Sequence, residues 1–243
     1  MASKMLIAIL LGHVITANAS ASSVAYQTIK VGAVSAHVVT VNLADKNTHV
    51  TVALARGGTG KSESFKSIVG RTRPSAAITG TFFDTRTLIP TGDIAVYGTV
   101  VHKGCIGSAL CIDSHNRVAI VPMNSGTKQN WDGYETVLRC GPRLVTRGAA
   151  TVALKKEGFG NSLYAPATRT AVGVTGSGKL VLVAVNQKIT LQRFAKMMVK
   201  IGISDALCLD GGSSTGFYAR GKFAANPIRR LTNLLVVYSK SSD

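Results

Sequence analysis

Alternation of apolar and polar positions dominates the first hundred residues. Val24–Val31, His37–Leu43 and His49–Ala55 repeat with period two and are rich in Val and Thr, which predicts three strands. Ser62–Val69 reads as a short helix with Ser62 at its N-cap. Ala76-Ala77-Ile78 opens a buried strand that runs into Thr79-Gly80-Thr81-Phe82-Phe83-Asp84. The two phenylalanines must face opposite ways there, one towards the core. Hairpins are expected around Tyr97-Gly98, Asp113–Asn116, Gly176-Ser177-Gly178 and Arg220-Gly221. Thr151–Pro166 is polar and broken by glycine, and is expected to be a long surface loop. Leu191, Phe194, Ala195, Met198 and Ile201 fall near helical spacing, so Thr190–Ile201 predicts an amphipathic helix, capped by Thr190 and ended by Gly202. Leu234–Tyr238 predicts a last strand. Many short strands and few helices, with neither a repeat nor a linker, predict one α+β domain of mixed, mostly antiparallel sheets.

The amino terminus breaks this pattern. Lys4 precedes a largely apolar run from Met5 to Ala17, and small residues follow at Ala17-Asn18-Ala19. This predicts a secretory signal peptide over residues 1–19, since the run is short of the ~20 residues a spanning helix needs. Residues 20–75 then supply strands and a short helix to the same domain as 76–243. After cleavage no transmembrane anchor is expected, and the protein is placed outside the cytoplasm: secreted, periplasmic or on the cell surface.

Export permits disulfides. The four cysteines are Cys105, Cys111, Cys140 and Cys208. Cys105 and Cys111 flank a short loop and are expected to pair. Cys208 either pairs with Cys140 or stays a core thiol.

The 243 residues carry a formal net charge of +17, with Lys and Arg spread along the chain rather than gathered in a tail. A basic face follows, and with it a polyanionic partner. Export and the lack of a nucleic-acid motif argue against a specific nucleic-acid ligand. No cysteine–histidine spacing suggests zinc. No cofactor is required; a divalent metal held by Asp84, Asp93 and Asp210 is the one alternative, though no loop shows calcium-ligand spacing.

The densest chemistry lies in Cys208-Leu209-Asp210-Gly211-Gly212-Ser213-Ser214-Thr215. A strand delivers an aspartate directly into two glycines and three hydroxyls. Paired glycines let backbone N–H groups converge on an anion, although the same pattern also suits a plain turn.

Five segments in order resemble the phosphodiester glycosidase family: Ile78–Phe83, Cys140–Leu144, Arg169–Gly173, Leu209–Ser214 and Arg230–Leu234. Two positions depart from it. Thr79 stands where the family usually has asparagine, and Ser213 follows Gly212 where a third glycine is common. The resemblance implies a hydrolase that breaks the bond between a sugar and a phosphodiester, with a phosphate-containing glycan or sugar-1-phosphodiester as substrate. Asp210, then Asp84, are the expected catalytic carboxylates. Arg169, Thr170 and Arg230, the N–H groups of Gly211 and Gly212, and the hydroxyls of Ser213 and Ser214 are the expected phosphate contacts. Asn233 is expected to orient a neighbour. Two alternatives are a non-catalytic polyanion-binding module of the same fold and a serine hydrolase using Ser213 or Ser214.

Overall fold

A computed structural model describes residues 22–240. The expected signal peptide lies outside the described residues. Three strands open the chain, β1 (Val24–Val31), β2 (Val34–Val41) and β3 (Thr48–Leu54), followed by helix α1 (Phe65–Thr72) and β4 (Ala76–Thr79). Five more follow: β5 (Ile94–Val96), β6 (Thr99–His102), β7 (Ser108–Asp113), β8 (Val118–Val121) and β9 (Tyr134–Cys140). Next come β10 (Arg143–Thr146), β11 (Ala149–Ala150), β12 (Ala167–Thr175), β13 (Leu180–Ile189), α2 (Leu191–Lys200) and β14 (Ile203–Leu209). The chain closes with β15 (Phe217–Ala219), β16 (Lys222–Ala225) and β17 (Asn233–Ser239).

The strands form three sheets, ordered β1-β2-β13-β12-β14-β10-β11, β16-β15-β4-β17-β3 and β6-β5-β9-β7-β8. Every strand pairing among the described residues is antiparallel, as expected for an α+β chain with few helices. One core joins the inner faces of all three, with Val39, Leu182 and Leu207 from the first sheet, Ile78 and Leu235 from the second, and Leu110 and Leu138 from the third. β13 shows the logic. Leu180, Leu182 and Ala184 turn to this core, while Val181, Val183 and Val185 turn to the other face, where α2 lays down Leu191, Phe194, Ala195 and Met198. A strand buried on both faces reads as an unbroken apolar run. On the second sheet, α1 covers Ala77, Leu234 and Val236 with Phe65, Ile68 and Val69.

Both helices form, and α2 has the expected cap: the Thr190 hydroxyl accepts from the Arg193 N–H. α1 starts later than its sequence predicts. Ser64, not Ser62, is the N-cap and accepts from the Ser67 N–H, while the Ser62 carbonyl receives Arg230.

The 151–166 segment is not a loose surface loop. It carries two 3₁₀ turns, Lys155–Glu157 and Asn161–Tyr164, and buries Leu154 and Glu157. The Glu157 carboxylate accepts from the N–H groups of Ser108 and Arg143, which pins the segment to two sheets.

The expected disulfides are absent: all four cysteines are free. Cys111 is buried beside Trp131 and Val137, whereas Cys105 is exposed in a loop whose carbonyl is held by Arg139 and Gly126. Cys140 belongs to the central core and Cys208 to the layer under α2. Burial pushes the Cys111 and Cys208 thiols up to about 12, so they are inert core groups.

Arg139 is completely buried, a position the sequence does not flag. Its guanidinium donates to the carbonyls of Gly107, Thr127, Cys105 and Asn124, with Asp93 Oδ2 at 3.7 Å. Asp93 also accepts from Trp131 Nε1 and the Gly104 N–H. Those bonds satisfy a charge that would otherwise be too costly to bury.

Candidate active site

β14 delivers Asp210 to the edge of the core, where the chain leaves the sheet into a short 3₁₀ turn, Gly212–Ser214. Two neighbouring strands, β4 and β12, hold this loop by its backbone. The Asp210 N–H donates to the Gly80 carbonyl just beyond β4 (3.1 Å), and the Thr170 hydroxyl of β12 donates to the Asp210 carbonyl (2.7 Å). Thr168, also on β12, donates to the Gly212 carbonyl and lies 2.7 Å from the Thr215 hydroxyl. Thr79 donates to the Ser214 carbonyl (2.5 Å) and accepts from the Gly216 N–H (2.8 Å). One hydroxyl there serves as both donor and acceptor, a double role that an asparagine amide can also fill.

Two glycines are required by close approach. A Cβ on Gly80 would lie 1.8 Å from Asn233 Oδ1, and one on Gly211 would lie 2.8 Å from the Thr168 carbonyl. Asn233 itself is buried. Its Oδ1 accepts from the Thr81 N–H and its Nδ2 donates to the Thr232 hydroxyl, so it orients the strand end after β4.

Asp210 is half-buried. The protein packed around its carboxyl pushes its pKa up to about 7, against partial opposition from the Ser214 hydroxyl, the Arg229 charge and the Gly211 N–H. The Ser214 hydroxyl is buried and makes no hydrogen bond of normal geometry within the protein. A carboxyl poised near neutrality, beside glycine N–H groups and a cation, suits acid–base or nucleophilic work at pH 7. A cleft of about 540 Å³ opens beside the turn. Thr168, Gly212, Ser213 and Thr215 form one wall; Asn186 and Lys188 of β13, Ala224 and Ala225 of β16, and Ile228 complete it. This size suits a small organic ligand.

The structure thus gathers Asp210, Thr170, Gly211, Gly212, Ser213, Ser214 and Asn233 in one region. The other expected residues have different surroundings. Asp84 is exposed, and its Oδ1 accepts from the N–H groups of Arg86 and Thr87 at 2.9 Å each. Those two bonds hold its carboxyl below the ordinary aspartate value and make it the cap of a turn. Arg169 is buried, with its guanidinium donating to the carbonyls of Ile189, Leu163 and Ala165. It clamps the 151–166 segment to β12 instead of facing open solvent as a phosphate fork. Arg230 is exposed and reaches the Ser62 carbonyl. The cation felt at Asp210 is its neighbour Arg229, which sequence reasoning passed over. The adjacent pair Arg229-Arg230 carried the signal, but a sequence gives no direction to two consecutive side chains outside a regular strand. Among the described residues no group of three or more His, Cys, Asp or Glu is arranged to hold a metal, so Asp84, Asp93 and Asp210 form no such group.

Comparison with known proteins gives the family and the fold. Residues 72–238 match the phosphodiester glycosidase family. The zebrafish N-acetylglucosamine-1-phosphodiester alpha-N-acetylglucosaminidase catalytic domain, described as auto-inhibited by its pro-peptide, superposes with a TM-score of 0.73 at 20% identity, covering 90% of this chain and 83% of that one. A hypothetical protein from Synechocystis superposes with a TM-score of 0.70 at 17% identity, covering 89% of this chain and 62% of that one. A Burkholderia pseudomallei protein described as exported gives 0.58 at 13% identity, covering 84% and 74%. No curated protein matches the sequence.

Proposed function

The chain belongs to the phosphodiester glycosidase family, and we propose that it is an exported hydrolase that cleaves the bond between a sugar's anomeric carbon and a phosphodiester oxygen. The observation that carries this reading is Asp210. It stands at the end of a buried strand, its pKa pushed up to about 7, next to Gly211-Gly212 and within the field of Arg229. A phosphomonoester is a good leaving group and needs little help from a general acid. The demand falls on a carboxylate at the anomeric carbon and on donors that hold the phosphate. Asp210, ionised, is the nucleophile or the base that activates water. The N–H groups of Gly211 and Gly212, the Ser213 and Ser214 hydroxyls and Arg229 hold the phosphate. The 540 Å³ cleft takes the sugar, with alanines and Ile228 against its apolar face and Asn186 and Lys188 at its rim. Thr79, Thr170 and Asn233 position the loop and the strand end facing it.

Export rests on the signal-like amino terminus and on the likeness to a protein described as exported. No helix among the described residues is long and apolar enough to cross a membrane.

The test is release of phosphomonoester from a panel of sugar-1-phosphodiesters by the mature protein and by Asp210→Ala. The reading expects release by the parent and a loss of about 10²–10⁴-fold or more in the variant. A parent that releases nothing from any diester, or a variant that matches the parent, contradicts it.

A further inference from the structure

A second cleft, of about 460 Å³, lies across a ridge from the first; Asn226 and Ile228 line both. Lys66, Arg229 and Arg230 converge in it. Lys66 stands in the first turn of α1, with Nζ 5.8 Å from the centre of the Phe223 ring. The two arginines come from the segment joining β16 to β17. Arg230 Nη2 donates to the Ser62 carbonyl at 2.8 Å, which holds its guanidinium over the start of α1, and this is its one hydrogen bond among the described residues.

No carboxylate among the described residues forms an ion pair with any of the three. Glu63, just before α1, is committed elsewhere. It bonds Arg71 at 2.8 Å, the Ser67 hydroxyl and the Arg56 N–H. α1 has no acidic residue in its first turn. Arg229 faces the Asp210 carboxylate, but Lys66 and Arg230 are like charges drawn together without one, and an anion seated between them removes the cost of their repulsion.

The scissile phosphodiester carries a single negative charge, and Arg229 is the cation that acts on Asp210. Lys66 and Arg230 exceed what that one group needs. We propose that this cleft is a second anion subsite, in which Lys66 and Arg230 hold a phosphate one unit removed from the one that leaves. The preferred substrate is therefore a sugar chain joined through repeated phosphodiesters rather than an isolated diester. The inference rests on the glycosidase reading for the first phosphate; the second subsite stands on its own cations and is measurable apart from turnover.

The experiment compares kcat/KM for a substrate with one phosphodiester and for its homologue with two, in the parent and in Lys66→Gln/Arg230→Gln. The parent is expected to favour the longer substrate by roughly tenfold at low salt, the scale of two surface ion pairs, and the variant to lose that ratio. A parent without the preference, or a variant that keeps it, overturns the inference. If neither substrate is turned over, the glycosidase reading fails, and calorimetry with inorganic tripolyphosphate decides the subsite alone. Affinity that falls roughly tenfold in the variant supports the subsite, and unchanged affinity removes it.

Discussion

Thr79 and Asp210 divide the work at the scale of single residues. Thr79 holds the loop through the Ser214 carbonyl and the Gly216 N–H. Replacing it with valine keeps its shape and strands both groups. We expect Thr79→Val to lose about 1–3 kcal/mol of stability and to lower kcat, while Thr79→Ser keeps both; thermal melts and steady-state kinetics check this. Asp210 makes two pH predictions. If it works ionised, kcat/KM rises as pH climbs through about 7 and levels above it. Its folded pKa lies above the ordinary value of 3.8, so the stability it contributes is fully present below about pH 4 and is lost as pH rises to about 7. Asp210→Asn, which carries no charge, is therefore expected to melt later than the parent at pH 8, by on the order of 2–4 kcal/mol, with the gap closing towards pH 4. The aspartate, glycines and hydroxyls were legible in the sequence as a candidate site because they follow a buried strand directly, although the same run also suits a plain turn. The role of Arg169 was not. An arginine in a motif reads as a phosphate ligand, and only the fold reveals that Ile189, Leu163 and Ala165 offer it carbonyls.

Elements carry the next set of consequences. Phe194 is fully buried between α2 and the large sheet, and Phe194→Ala is expected to cost about 3–5 kcal/mol, read as a shift in denaturant midpoint at constant slope. Arg139 fastens the loops after β6 and β8 to β9. Arg139→Met takes a donor from four loop carbonyls and the cation from beside the buried Asp93, and is expected to cost about 3–5 kcal/mol, more than most hydrophobic swaps of that size. Glu63 ties α1 to the strand before it. Burial alone would raise its pKa, but the bonds from Arg71, Ser67 and Arg56 bring it down to about 2. Its contribution is present above about pH 4.5 and is lost as pH falls through about 2. Glu63→Gln should flatten acid unfolding in that window, followed by circular dichroism. Period-two runs and single turn residues revealed most of the strands and hairpins. α2 was equally plain from its spacing. The 151–166 segment was misread because its order comes from groups outside it: the Glu157 carboxylate is held by the Ser108 and Arg143 N–H groups, and Arg169 takes the Leu163 and Ala165 carbonyls.

At the scale of the whole molecule, three antiparallel sheets share one core, and β4, β12 and β14 bring their ends to the same place. The backbone bonds of Asp210 to Gly80 and Thr170 express that convergence. The sequence announced most of the strands, though not β10 or β11, and not which sheet each joins, because the pairings of β12 with β14 and of β4 with β17 span long separations. The whole chain carries a formal net charge of +17. It should make KM for a phosphate-bearing glycan rise with ionic strength across about 0.05–0.3 M, since screening shortens the reach of those charges to a few ångströms. The chemistry turns on which bond breaks. Hydrolysis of a sugar-1-phosphodiester in ¹⁸O-labelled water, followed by mass spectrometry of both products, tests it most directly. Attack at the anomeric carbon beside Asp210 puts the label in the sugar and none in the phosphomonoester. Label in the phosphate would mean that a phosphorus–oxygen bond had been cut, and would contradict a role for Asp210 at the anomeric carbon.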